Sequence, residues 1–143
     1  MSAPTHWKKI LVSTDFSEDS LTALREARRF QDLSEVEVVL LHVTEPAFEG
    51  LRIQTNDLHE QTMAKARHQL EALALAYFGS DESVTTQVKE GRAGEVICEQ
   101  ARALGVDAII IATHGITALK HFMLGSVAES VVRHAPCSVL VVR

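Results

Sequence analysis

The sequence predicts an α/β domain, doubly wound, with a parallel sheet covered by helices on both faces. Three observations lead there. Short apolar runs alternate with longer stretches of helical period, strand then helix four times over, followed by a closing strand. The strand-like runs show little in–out alternation, as expected where both faces are buried. The 143 residues suffice for one hydrophobic core and no second, so one domain is expected over 1–143.

In chain order, the branched apolar run KKILVST (8–14) reads as a buried strand ending at Asp15. Ser17 then suits a helix N-cap, Glu18 and Asp19 suit the positive first turn, and Arg28 and Arg29 suit the negative end. Leu24, Ala27 and Phe30 mark the inward face of that helix. VEVVLLHV (36–43) is a second buried strand. Period is lost after Pro46 until Asn56, where Asp57 and Glu60 form a capping box ahead of Ala66, Leu70, Leu73 and Tyr77. This helix is the longest in the chain and stops at Gly79. SVTTQVKEG (83–91) is a strand, and AGEVICEQARALG a helix with Ile97, Ala101 and Leu104 inward and Gly105 as its stop. DAIIIAT (107–113) is the most clearly buried strand. After a long loop, Ser126 and Glu129 form a second capping box, Pro136 ends the last helix, and SVLVVR (138–143) is the final strand.

Composition excludes several functions. The formal net charge is −5, whereas a nucleic-acid surface needs a basic excess, and Lys8–Lys9 or Arg25, Arg28 and Arg29 are too few to supply one. No run approaches the ~18–20 apolar residues of a membrane span, and MSAPTHWKKI lacks the apolar core of a signal peptide. No membrane association is expected. Cys98 and Cys137 lie in neither a CxxC nor a metal-ligand spacing; buried free thiols in a reducing cytoplasm are the expectation. None of the seven histidines pairs as HxxxH or HExxH, so no metal site is expected.

In doubly wound sheets a ligand binds beyond the carboxyl ends of the strands, where strand order reverses. That rule selects STDFS after the first strand, HVTEP after the second and ATHG…GS after the fourth. Gly125–Ser126 opens a helix, whose unpaired N–H groups and dipole favour an anion; the capping box explains Ser126 equally well without a ligand. Gly115 either turns the chain or lets a ligand approach the backbone. Asp15 either meets a ribose or adenine amine or closes an Asx turn. His114 either stabilises the loop or meets phosphate. Neither GxxxxGK[ST] nor GxGxxG is present.

KKILVSTDFSEDSLTAL, VVLLHV, VKEGRAGEVI and above all DAIIIATHGITALKHFMLGSVAESVVRHAPCSVLVVR together resemble the universal stress protein family over nearly the whole chain. Its nucleotide-binding members carry Gly-x2-Gly-x9-Gly-[Ser/Thr], matched here by Gly115, Gly125 and Ser126. The resemblance implies a five-stranded parallel sheet in the order 3-2-1-4-5. It implies ATP (or AMP or ADP) at the switch point, with Mg2+ held by the phosphates. Thr14 and Asp15 would meet ribose and adenine, Ser13 and Val43 would line the base, and Ala112, Thr113, Gly115, Gly125, Ser126 and Val127 would surround ribose and phosphates. It further implies a homodimer through the last strand, 138–143, whose exposed apolar edge would otherwise be a liability.

Three positions depart from the family pattern. Ala112 replaces the first glycine. If that backbone requires positive φ, the methyl group costs on the order of 1 kcal/mol; if only a small side chain is required, alanine fits. Ser13 stands where proline is common, and Ile116 and Ala118 replace a polar residue and a glycine. The expected function is a stress-response sensor or regulator that binds adenine nucleotide. The alternative is the same fold acting only through protein contacts. Dedicated catalysis is not expected beyond slow ATP hydrolysis: the chain has neither HxGH nor SGGxDS after the first strand, nor a carboxylate cluster for two metals.

Overall fold

The computed structural model describes residues 6–46, 56–113 and 124–143. Its strands are β1 (Lys9–Ser13), β2 (Glu37–Thr44), β3 (Val84–Glu90), β4 (Ala108–Ala112) and β5 (Ser138–Val142). They alternate with α1 (Glu18–Leu33), α2 (Asn56–Phe78), α3 (Ala93–Leu104) and α4 (Ser126–His134). All pairings are parallel, in the order β3-β2-β1-β4-β5. This is the predicted fold class, a single α/β domain.

The absence of alternation in the strands has its expected cause. Successive side chains of a strand point to opposite faces, and here each face carries helices. Ile10, Val12, Val38, Leu40, Ala108 and Ile110 pack with Ala23, Leu24 and Ala27 of α1 and with Leu70 and Phe78 of α2. Leu11, Leu41, Ile109 and Ile111 pack on the other side with Ile97, Cys98 and Ala101 of α3 and Ala128 and Val131 of α4. Ile10 is in register with Val38 and with Ala108, so the three central strands present matching apolar rows to both layers.

At the amino ends of the strands, Asp107 Oδ2 accepts the N–H groups of Lys8 (2.7 Å) and Lys9 (3.0 Å). In return the Asp107 N–H donates to the Lys9 carbonyl at 2.8 Å. These bonds hold the carboxyl group of Asp107 below its ordinary pKa, the backbone N–H groups of Lys8 and then Lys9 being the main causes.

Helix ends differ in part from expectation. Ser17 caps α1, accepting the Ser20 N–H at 3.3 Å. The helix continues to Leu33, so Arg28 and Arg29 do not sit in its last turn. Arg28 instead reaches another helix: its Nη1 donates to the Phe78 carbonyl at the end of α2 (3.3 Å), while Nε pairs with Asp32 at 3.1 Å. A cation does serve a helix carboxyl end, but of α2 and not of α1. Asp57 lies in the first turn of α2, which begins at Asn56, and is therefore not its cap. Gly79 (φ +68°) and Gly105 (φ +63°) end α2 and α3 in the left-handed backbone expected of helix stops.

The second expected capping box does not form. The N-cap of α4 is Gly125, which has no side chain to offer, and Ser126 is the first helical residue. Glu129 is turned to Arg133 one helical turn on, at 3.0 Å. Gly94 in α3 allows this helix to approach α4 closely: a Cβ there would lie 2.5 Å from Ser130 Oγ.

Candidate functional site

Strand order reverses between β1 and β4, since β2 and β3 lie to one side of β1 and β5 beyond β4. A cleft of about 540 Å³ opens there, above the carboxyl ends of β1, β2 and β4 and against the start of α4. Ser13, Thr14, Asp15, Val43, Ala112, Thr113, Gly125, Ser126 and Val127 all line it. Segments from near both ends of the chain thus converge. His114 and Gly115 lie outside the described residues.

The floor of the cleft is the β1–α1 turn. Its Phe16 has φ +68°, alone among the described non-glycine residues in a left-handed backbone, a conformation costing roughly 1–2 kcal/mol for a residue with a Cβ. Several bonds hold it. The Phe16 N–H donates to Thr14 Oγ1 at 3.0 Å, and the Ser17 N–H donates to Asp15 Oδ1 at 2.9 Å. The Ser17 hydroxyl also donates to Asp15 Oδ1. The Asx turn considered for Asp15 is therefore present.

Thr14 and Ser20 are buried, with 2% and 4% of their surfaces exposed, and their hydroxyls are 2.7 Å apart. Ser20 Oγ donates its proton to the Ser17 carbonyl at 2.7 Å, so the Thr14 hydroxyl donates to Ser20. The remaining polar groups of Thr14 are also engaged. Its N–H donates to the Leu41 carbonyl at 3.0 Å, and its own carbonyl accepts from His42 Nδ1 at 2.8 Å. Thr14 lines the cleft, yet its hydroxyl serves the turn and its backbone bonds tie the turn to β2.

Ala112 resolves as a strand residue. It is the last residue of β4, 7% exposed and packed in the α1/α2 core, and it is not among the residues with positive φ. Its methyl group carries no backbone penalty. Immediately beyond it, the Thr113 N–H continues the sheet to the Val142 carbonyl at 2.8 Å. The Gly125 N–H donates to the Thr113 carbonyl at 2.6 Å, clamping together the two ends of the connection to α4.

The segment HVTEP selected after the second strand also brings His42, Thr44 and Glu45 to the cleft, none of them singled out from the sequence, and Ser20, Ala93, Ile111 and Ala128 line it as well. One of them carried a signal: His42 is the sole polar residue in VVLLHV. Ala93 and Ala128 carried none, because a small residue near a helix start has no pattern of its own. Among the described residues no three His, Cys, Asp or Glu side chains gather as a metal-holding group, and no helix is long and apolar enough to cross a membrane.

A switch-point cleft is common to many doubly wound proteins, so comparison with known proteins decides which group this chain joins. The profile of the universal stress protein family matches residues 6–143. The chain belongs to that family. Its relatives include the universal stress protein MJ0577 of Methanocaldococcus jannaschii, 32% identical over 96% of this chain and 95% of that one. A putative universal stress protein of Staphylococcus epidermidis is 29% identical over 96% of this chain and 84% of its own length. Among solved structures, MJ0577 superposes with a TM-score of 0.84 at 35% identity, covering 95% of both chains. The universal stress protein UspA of Lactobacillus plantarum superposes at 0.83 and 25% identity, covering 98% of this chain and all of that one. A universal stress protein in complex with cAMP shares the fold at 0.65 and 19% identity, over 97% and 98% of the two chains.

Proposed function

We infer that this universal stress protein binds an adenine nucleotide in the switch-point cleft and acts as a binding regulator rather than a dedicated catalyst. The observation that carries the reading is the junction of an apolar wall with an uncapped helix start. Val43, Ile111 and Ala112 line one part of the cleft, and Gly125, Ser126 and Val127 open α4 at another. The apolar wall suits the face of a purine. The first N–H groups of α4 have no intrahelical partner, and Gly125 supplies no side-chain cap, so phosphate oxygens are suitable acceptors. A family member complexed with cAMP supports the same ligand class.

In this reading Asp15 meets ribose or adenine from the β1–α1 turn, Ser13 and Val43 flank the base, and Thr113, His114 and Gly115 complete the surround of ribose and phosphates. Thr14 acts by shaping the turn. Mg2+ would be held by the phosphates of the ligand. ATP, ADP and AMP are the candidate ligands. The protein pairs with a second copy through β5, which among the described strands is an edge strand with β4 as its one neighbour.

Calorimetric titration of the purified protein with ATP, ADP and AMP tests the proposal, together with mass spectrometry of nucleotide released on denaturation. Binding at micromolar to submillimolar level is expected, weakened at least tenfold in Val43→Trp, which fills the cleft. No binding at millimolar nucleotide refutes the reading and leaves a protein that works through contacts alone. Sedimentation equilibrium tests the dimer, which Leu140→Lys or Val142→Lys should weaken.

A further inference from the structure

His42 opens the HVTEP segment without having been singled out from the sequence, and it makes two contacts with the same four-residue turn. It stands on β2, one strand across from the turn that carries Asp15. Its Nδ1 lies 2.8 Å from the Thr14 carbonyl oxygen. A carbonyl only accepts, so Nδ1 carries the proton and donates it. The His42 ring also lies on that of Phe16, with centroids 4.1 Å apart and planes 31° apart. Thr14 and Phe16 are the residues on either side of Asp15. One imidazole therefore holds both neighbours of the carboxylate, the first through its carbonyl and the second through its side chain.

We propose that His42 is a positioning residue that sets the direction of the Asp15 carboxylate for nucleotide binding. The assignment rests on the nucleotide reading above. The direction of the Asp15 Cα–Cβ bond follows from the two peptide planes that flank it. Phe16 occupies left-handed backbone (φ +68°), which an L-residue leaves unless its surroundings over-determine it. Thr14 Oγ1 holds the Phe16 N–H from within the turn. His42 holds the same residue from outside the turn, by a ring contact that local sequence cannot supply. Without the imidazole, Phe16 relaxes toward negative φ, which pulls Ser17 away from Asp15, breaks the Asx bonds that span Phe16 and lets the carboxylate swing.

Three variants separate the contacts. His42→Phe keeps an aromatic face and loses the donor. His42→Asn keeps an N–H near the Nδ1 position and loses the face. His42→Ala loses both. ATP affinity should fall about tenfold in His42→Ala, the equivalent of roughly one net hydrogen bond, and each of the other two should recover part of that loss. In hydrogen exchange by NMR, the Phe16 and Ser17 amides should open faster in His42→Ala, while those of Leu11 and Val12 in β1 remain protected.

Equal loss of affinity in all three variants, with Leu11 and Val12 deprotected as well, shows a residue that merely stabilises the sheet and overturns the proposal. So does ATP binding by His42→Ala within twofold of wild type. If the wild-type protein binds no ATP, the nucleotide reading fails by itself. Phe16 and Ser17 amides that open selectively then still support His42 as the residue that orients the turn, and unchanged amides overturn it.

Discussion

Gly94 provides the sharpest test of how α3 and α4 are brought together beside the cleft. A Cβ at this position would lie 2.5 Å from Ser130 Oγ and 2.8 Å from Ser130 Cβ, whereas ordinary contact begins at 3.4 Å. Rotation about χ1 can carry Ser130 Oγ aside, but Ser130 Cβ is fixed to the α4 backbone and cannot yield. Gly94→Ala therefore forces the helices apart by roughly 0.6–0.9 Å, enough to forfeit a quarter to a half of the dispersion energy of contacts along that seam. Overpacking of this kind costs about 1–3 kcal/mol, and the better helix propensity of alanine offsets up to about 1 kcal/mol. A net loss of about 1–2 kcal/mol is expected, or roughly 3–8 °C in Tm for a domain of this size. Urea and thermal unfolding of Gly94→Ala, Ser130→Gly and the double variant measure it. Because Ser130→Gly removes both obstructing atoms, the two changes should couple favourably by about 1 kcal/mol. A Gly94→Ala protein as stable as wild type, or a pair whose effects simply add, refutes the close-approach argument.

The remaining predictions concern pH, a cleft residue and the thiols. The Lys8 and Lys9 N–H groups hold the folded-state pKa of Asp107 below its ordinary value, so the unfolded chain takes up the proton first on acidification. Its contribution is thus complete above the unfolded pKa and lost as pH falls through the lower folded one. Unfolding of wild type and Asp107→Asn between pH 2 and 6 should show a shallower acid loss in the variant; parallel curves would contradict the assignment. Ala112→Gly should lower stability by about 0.5–1.5 kcal/mol through lost core methyl and strand entropy without tightening ATP binding. A gain in affinity would show that the methyl group obstructs the ligand. Burial raises the thiol pKa of Cys98 and of Cys137, the latter aided by Cys98, so little thiolate is present near neutral pH. Ellman's reagent should label both slowly in the native protein and at once in denaturant; rapid native labelling of Cys98, which is 5% exposed, would refute its burial.

Some features of the site were legible because they are local. The carboxyl-end segments after the first, second and fourth strands were found from strand ends and a general rule about sheets, and they do meet at one cleft. The Asx alternative for Asp15 was visible from a two-residue spacing. The capping box at Ser126 and Glu129 was a sound local pattern that lost to tertiary context: Gly125 begins the helix and Glu129 pairs with Arg133. His42 lay within the selected HVTEP segment, but its role was not legible because its partners, Thr14 and Phe16, stand across the sheet. The bond from His42 to Thr14 spans 28 residues and that from Arg28 to Phe78 spans 50, beyond any periodic window.

By itself, then, the sequence determined the order and type of the elements, the stops at Gly79 and Gly105, the cap at Ser17 and the kinship with the universal stress proteins. Apolar period, turn chemistry and capping all act within a few residues, so a linear reading can recover them. Tertiary structure alone decided that the Thr14 backbone is tied to Leu41 and His42 of β2, that Phe16 is held in left-handed backbone, and that Ala112 sits in an unstrained strand. It also decided that Gly94 brings two helices into close approach. Each of these depends on which atoms lie across a sheet or between two helices. Parallel pairing with crossovers sets those neighbours only once the whole chain has closed.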